Sequence, residues 1–273
     1  NKAGAQTAPD TPAAPTFATP SADSRALTGK VAIVTGARAN LGRGFAEALA
    51  RQGADVVVHY HRAETRSQAE ETARLVRQQG SRAALVQGDL GRPENVKRLF
   101  DVALSEFGRA DILVNNAGAI IKKQIADITD ADLEELININ TRGSFLCTRE
   151  AARRLSDGGR IITIATSLLA GAAPGYAAYA GSKAIMEELT RMAAKELGGR
   201  GITVNAVSPG PIDTPFFHGQ ETPQSAQFAA GLSVEGRLGM VSDIVPIVEF
   251  LAMPSAQWIN GQTIWINGGY LTR

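Results

Sequence analysis

From residue 28 onward, short runs of apolar, β-branched side chains alternate with longer stretches of helical spacing, and this alternation restricts the possible folds severely. Val31-Ala32-Ile33-Val34 reads as a buried strand, followed by a glycine-containing turn and an amphipathic helix over 41–52 that ends at Gly53. The cycle repeats with a strand over 55–60 and a helix over 64–79, then a strand over 82–87 and a helix over 93–107 that Pro93 would open. It continues with strand 111–114, a long helix over 130–155, strand 160–164, helix 177–197, strand 202–207, helix 241–251 and strand 263–266. Seven strands with helices between them predict an α/β fold, a Rossmann-like doubly wound parallel sheet, because parallel neighbours need crossovers and these are right-handed.

With 273 residues, 44% of them hydrophobic and 20% charged, the chain suits one domain, expected over 28–273. Residues 1–27 are rich in Ala, Pro, Thr and Ser and poor in large apolar side chains, so a disordered tail is expected there. The net charge of +1 gives no polyanion-binding surface, so nucleic acid is not an expected partner. No stretch approaches about 18 uninterrupted apolar residues, so no membrane partner is expected either. A cytoplasmic location is the expectation, with export the alternative should a leader have preceded Asn1. The single cysteine, Cys147, sits in the apolar run Phe145-Leu146-Cys147 and reads as a small buried hydrophobe. The three histidines, His59, His61 and His218, lack ligand spacing, so no metal is expected.

In such a sheet, ligands bind beyond the C-terminal ends of the strands. Segments 35–44, 59–62, 115–118, 166–167 and 208–214, together with Asp89, all follow strands and converge on that edge. Tyr179 and Lys183 are four apart in the proline-free helix 177–197 and share one of its faces. An ammonium about 4 Å from a phenol favours the phenolate by about 2–3 pKa units, making Tyr179 an acid or base near neutrality. Such pairs also occur on solvated helices. Here the hydroxyls of Thr166 and Ser167, at the end of the strand Ile161-Ile162-Thr163-Ile164, would be delivered to the same place.

Thr35-Gly36-Ala37-Arg38-Ala39-Asn40-Leu41-Gly42 is a strand-to-helix turn whose glycines would let backbone approach a pyrophosphate at the helix N-terminus. Asp55 stands at the start of the second strand, away from the cleft, whereas the cleft end carries His59-Tyr60-His61-Arg62 with no carboxylate until Glu64. That pattern predicts NADP(H) rather than NAD(H), with Arg62 the leading phosphate ligand and Arg38 the second. The alternative is that both arginines are surface charges.

Taken with Asn115-Asn116-Ala117-Gly118 and Tyr179-x-x-x-Lys183, this turn resembles the short-chain dehydrogenase/reductase family, whose glycine motif reads TGxxxGxG. The resemblance runs from about residue 27 to the end. It implies an oxidoreductase that transfers hydride between a nicotinamide and a carbonyl or alcohol, with Tyr179 the general acid and Lys183 holding the ribose and lowering the tyrosine pKa. Asn140 would support a proton-relay water, and Asn115 to Gly118 would brace the central sheet and line the adenine side. Gly36, Arg38, Asn40, Leu41, Gly42, Tyr60, His61, Arg62, Asp89, Leu90, Asn116, Ala117 and Gly118 would contact the cofactor, Asp89 at the adenine. Ser208-Pro209-Gly210, Ile212 and Thr214 would surround the nicotinamide carboxamide.

Two positions depart from the family pattern. Asn40 replaces the middle glycine, tolerable because asparagine adopts left-handed backbone more readily than other non-glycine residues. The serine expected thirteen residues before the tyrosine is Thr166, whose hydroxyl donates the same bond, and a bulged strand end would bring in Ser167 instead. The expected activity is that of a 3-oxoacyl reductase-like or ketone reductase. A catalytically silent NADP-binding sensor is the alternative. The stretches His59-Tyr60-His61-Arg62 and Asn40-Leu41-Gly42 are similar to the pteridine reductases of the family, but those carry an aspartate at the position of Thr166.

Ile120-Ile121, Leu168-Leu169, Phe216, Phe217 and Phe228 would wall a pocket for an apolar or aromatic carbonyl compound, with core packing the alternative for Ile120 and Leu168. Residues 211–232 read as a mobile lid, and His218 within it as exposed. The resemblance implies a homotetramer assembled through the helices at 130–155 and 177–197.

Overall fold

The apolar runs of the central strands lack the polar alternation of a half-exposed strand because they are covered on both faces, whereas the two edge runs, 83–87 and 263–266, are mostly only partly buried. The computed structural model describes residues 25–272. The first half contains β1 (Val31–Val34), α1 (Asn40–Arg51), β2 (Asp55–Tyr60), α2 (Arg66–Gln78), β3 (Ala83–Gln87), α3 (Pro93–Phe107) and β4 (Ile112–Asn115). The second contains α4 (Asp130–Leu136), α5 (Ser144–Arg154), β5 (Arg160–Ile164), α6 (Ala177–Lys183), α7 (Ile185–Leu197), β6 (Thr203–Pro209), α8 (Pro215–His218), α9 (Pro223–Gly231), α10 (Val241–Ala252) and β7 (Thr263–Ile266).

All seven strands are parallel, in the order β3-β2-β1-β4-β5-β6-β7. The order reverses between β1 and β4, and the cleft opens at that switch point. One face is packed by Phe45 and Leu49 of α1, Val76 of α2 and Val248 and Leu251 of α10. The other is packed by Leu99 and Phe100 of α3, Cys147 of α5 and Leu197 of α7. Burial pushes the Cys147 thiol up to about 12, as befits an inert core residue.

Three expectations are adjusted. Leu27 is only 2% exposed and its N–H donates to the Gln52 carbonyl at 2.8 Å, so ordered structure reaches back before residue 28. The disorder expected for residues 1–24 falls outside the described residues. The helix expected over 130–155 is interrupted by a π-helical turn, Ile137–Gly143, between α4 and α5. Its wider coil carries Asn138 towards Asp89 and Asn140 towards Ala119 and Ser182. The helix expected over 177–197 is divided at Ala184 into α6 and α7, where the Ala184 N–H turns to the Gly181 carbonyl at 3.3 Å.

Among the described residues, no helix is long and apolar enough to cross a membrane, and no three His, Cys, Asp or Glu side chains are grouped to hold a metal ion. The segment over 211–232 forms two short helices, α8 and α9, each opened by a threonine N-cap followed by proline. Neither contains a buried residue, so this cap has no core of its own.

Candidate active site

The loops that follow the strands enclose a cavity of about 800 Å³ at the switch point. It gathers Gly36 and Arg38 from the turn after β1, Asn40, Leu41 and Gly42 from the first turn of α1, Tyr60 from the end of β2, His61 and Arg62 from the loop that follows it, and Leu90 from the loop after β3. Asn116, Ala117 and Gly118 join from the loop after β4, and Thr166 and Ser167 from that after β5. Tyr179 and Lys183 of α6 and Pro209, Gly210, Ile212 and Thr214 at the end of β6 complete it.

The glycine turn is built for close backbone approach. Gly36 has φ +63, and a Cβ there would lie 2.9 Å from Ala117 Cα. A Cβ on Gly42 would lie 2.3 Å from the Gly36 carbonyl oxygen and 2.6 Å from Asn116 Nδ2, so only glycine fits without moving the backbone. Asn40 is the one described non-glycine residue with positive φ, at 51°, as its place in the motif requires. Thr35 Oγ1 accepts the N–H groups of Asn116 and Ala117 at 2.9 and 3.0 Å, and Asn116 Nδ2 donates to the Thr35 carbonyl at 3.0 Å. These bonds stitch the loops after β1 and β4 together. The first turn of α1 carries no acidic residue, so its N-terminal dipole faces the cavity unopposed. A turn closed to any side chain, at an open helix N-terminus, fits a dinucleotide pyrophosphate.

His59 adds a strut beneath this turn. Its Nδ1 accepts the Gly36 N–H at 3.1 Å, which puts the ring proton on Nε2, and Nε2 donates to the Gly88 carbonyl at 2.9 Å. Burial lowers its pKa to about 4, so the ring is neutral. Arg62 and His61 are exposed beside Thr65 at the cavity edge, and the Arg38 guanidinium donates to Gln68. Asp55, at the opposite end of β2, is paired with Arg82 at 2.6 Å, as expected of a residue outside the cleft.

Tyr179 is buried, and the Thr166 side chain, whose hydroxyl accepts the Leu168 N–H at 3.4 Å, lowers the phenol pKa from its side of the cavity. Ser167 is occupied elsewhere, donating to the Ser208 carbonyl at 3.0 Å, so the regular strand end presents Thr166 without a bulge. Lys183 Nζ donates to the carbonyls of Ile164 at 2.8 Å and Ala165 at 3.4 Å and stands 5.8 Å from the Tyr179 ring centre. The expected depression of the tyrosine pKa by this ammonium is not seen. Burial pushes the Tyr179 phenol up to about 12 despite the opposing influence of the Thr166 hydroxyl, and pulls Lys183 down to about 8. The lysine charge is directed at backbone carbonyls rather than at the phenol oxygen.

The rest of the cavity is apolar on one side and charged at one corner. Ile120, Leu168, Phe216, Phe217 and Phe228 line it, whereas Ile121 packs behind, in a cluster with Leu136, Tyr176 and Tyr179. The corner is formed by Lys122, Tyr176 and Glu221. His218 lies outside, bonded to Asp213 at 2.7 Å, with a side chain 47% exposed.

Residues 36–271 match the family model described as enoyl-(acyl carrier protein) reductase. The chain is 42% identical over 262 residues to the NADPH-dependent aldehyde reductase-like protein, chloroplastic, of Arabidopsis thaliana, covering 90% of this chain and 95% of that one. The chain belongs to the short-chain dehydrogenase/reductase family. It is therefore an oxidoreductase acting between carbonyl and CH–OH groups. A hydroxynaphthalene reductase-like protein of Metarhizium brunneum is 38% identical over 262 residues, with 91% of this chain and 97% of that one covered. The crystal structure of a putative dehydrogenase from Burkholderia cenocepacia with bound NADP superimposes with a TM-score of 0.88 at 41% identity, covering 92% and 97% of the two chains.

Within this short-chain dehydrogenase/reductase, Asp89 and Asn140, expected at the site, do not line the cavity, and neither do Asn115, Leu169 and Ser208. The Asp89 carboxylate accepts the Gly91 N–H at 2.9 Å and Asn138 Nδ2 at 3.2 Å, which turns it into its own loop and leaves Leu90 as the wall. Asn140 is fully buried: Oδ1 accepts the Ala119 N–H at 2.9 Å, and Nδ2 donates to the Ala119 carbonyl at 2.9 Å and Ser182 Oγ at 2.8 Å. It ties the loop after β4 to the residue beside Lys183. Lys122, Tyr176, Glu221 and the His59 strut were missed by sequence reasoning. The first three meet from segments up to 99 positions apart, and no local pattern marks such a meeting.

Proposed function

We propose that this oxidoreductase uses NADPH to reduce aromatic or other bulky apolar ketones and aldehydes, with Tyr179 as the proton donor. The observation that carries the reading is that Thr166, Tyr179 and Lys183 line one cavity between a dinucleotide-shaped glycine turn and an aromatic wall. When bound, the nicotinamide supplies a hydride to the carbonyl carbon. Tyr179 gives its proton to the carbonyl oxygen, and Thr166 steadies that oxygen by hydrogen bonding. A phenol held near 12 is fully protonated at neutral pH, which suits the direction of reduction. Lys183, buried against the end of β5, serves as the cation facing the ribose, and Asn140 positions α6 through Ser182. Arg62, with Thr65 and Arg38, is proposed to receive the 2′-phosphate; the NADP bound to the Burkholderia protein and the NADPH dependence in the Arabidopsis relative's name support that choice. The aromatic lining favours ring-bearing ketones over acyl thioesters, in keeping with the name of the Metarhizium relative. The reductase is favoured over a silent sensor because a hydroxyl at Thr166 faces the same cavity as Tyr179 and Lys183.

The test is NADPH oxidation across aromatic ketones, quinones, pterins, sugars and acyl thioesters, repeated with NADH. Turnover of ring-bearing ketones with NADPH is expected; turnover confined to thioesters, or faster with NADH, would overturn the proposed substrate class or cofactor.

The chain is also proposed to assemble as a homotetramer. Leu133, Ile137 and Phe145 are exposed along α4–α5, and Met192 on α7, which leaves apolar surface for a partner helix. Light scattering should give about four times 28.7 kDa.

A further inference from the structure

Lys122, Glu221 and Tyr176 converge at the corner of the cavity where the cap meets the catalytic wall. Glu221 lies between α8 and α9, and its side chain is only 4% exposed. Its carboxylate accepts from Lys122 Nζ at 2.5 Å and from the Tyr176 hydroxyl. Lys122 stands on the loop after β4, with its Nζ 5.1 Å from the Tyr176 ring centre, and its backbone N–H donates to Gln220 at 2.9 Å. Tyr176 in turn meets Tyr179 edge to face at 6.1 Å. Neither α8 nor α9 buries a residue, so ordinary core packing does not hold the cap where it lies. Burial opposes the charge on Glu221, but the hydrogen bonds from Lys122, Ser225 and Tyr176 outweigh it and keep the group ionised.

We propose that Glu221 is a positioning residue for the reduction: clasped by Lys122 and Tyr176, it fixes the α8–α9 cap over the substrate half of the cavity and thereby sets selectivity for large, flat carbonyl compounds. This rests on the reading of the cavity as a carbonyl reductase site. Lys122 and Tyr176 belong to the fixed body, and Glu221 to the cap. A substrate that reaches Phe216 and Phe228 relies on the cap being in place. A small aldehyde held by Thr166 and Tyr179 alone does not.

The test compares the wild-type chain, Glu221→Gln, Lys122→Met and their double variant, each with NADPH present. Limited proteolysis follows cleavage within residues 211–235, and tryptophan fluorescence follows NADPH binding. Activity is measured with a two-ring aromatic ketone and with benzaldehyde. The clasp predicts that Glu221→Gln speeds cap cleavage and raises KM for the two-ring ketone about tenfold more than for benzaldehyde, the scale of one charge-assisted hydrogen bond. The NADPH dissociation constant should stay within about twofold, since the clasp lies outside the cofactor turn. The double variant should be no worse than the worse single one. Equal cleavage rates, parallel changes in KM for both substrates, or additive losses would overturn the proposal. Should Glu221→Gln fail to fold, Tyr176→Phe removes only the hydroxyl from the same clasp and is held to the same outcomes. Cleavage is read without turnover, so inactivity towards both carbonyl substrates would count against the reductase reading and leave the clasp to be decided by proteolysis.

Discussion

At Tyr179 two opposing influences meet: burial penalises the phenolate, and the Thr166 hydroxyl favours it. Replacing Thr166 by Val should lower kcat about tenfold to a hundredfold, and by Ser should restore most of it, because the hydroxyl rather than the methyl does the chemistry. Ser167→Ala should instead register as about 1 kcal/mol of lost stability in urea unfolding, since it leaves the Ser208 carbonyl short of a donor. That Thr166, Tyr179 and Lys183 come together could be read from the sequence because strand end and helix face are local periodicities. His59 could not be told from His61, since only the folded sheet shows one ring buried between two loops and the other outside. That burial has a pH consequence. An unfolded histidine near 6.5 and a folded one near 4 mean that the unfolded chain takes up the extra proton between those values. The stability contributed by neutral His59 is complete above about pH 6.5 and is lost as the pH falls towards 4, by roughly 3 kcal/mol. Urea midpoints at pH 7 and 4.5 should drop more for the wild type than for His59→Asn.

Among the elements, the turn between β1 and α1 shows how little room the motif leaves. Gly42→Ala would drive a Cβ into the Gly36 carbonyl, so NADPH affinity should fall by about a hundredfold or more in fluorescence titration, with a lower melting temperature. At the end of β2, Arg62→Ala should reduce the preference for NADPH over NADH by about tenfold, whereas Arg38→Ala should do less because its guanidinium already serves Gln68. The strands and most helix bounds were readable because fully buried parallel strands are continuous apolar runs. The π-helical turn at Ile137–Gly143 was not, because Asn138, Asn140 and Gly143 leave the helical apolar pattern nearly intact while tertiary bonds to Asp89 and Ala119 reset the coil. The same bonds explain why Asp89 faces its own loop, an orientation that the sequence position alone does not reveal.

Across the whole molecule, the doubly wound sheet brings six loops to one edge, and their order along the chain was enough to foresee the cavity. The cap is different. Its hold on the body depends on Glu221 reaching Lys122 and Tyr176, a meeting of three distant segments that no periodicity encodes. What unites turn, triad and cap is a single claim, that hydride and proton are delivered to a carbonyl held between Tyr179 and the aromatic wall. The most direct test incubates the protein with NADPH carrying deuterium at nicotinamide C4 and a two-ring aromatic ketone, and weighs the alcohol formed. The account predicts one deuterium on the carbinol carbon with the wild-type chain and at least about a hundredfold less product with Tyr179→Phe. Tight NADPH binding with no labelled alcohol from the wild type, or equal labelling by Tyr179→Phe, would contradict it.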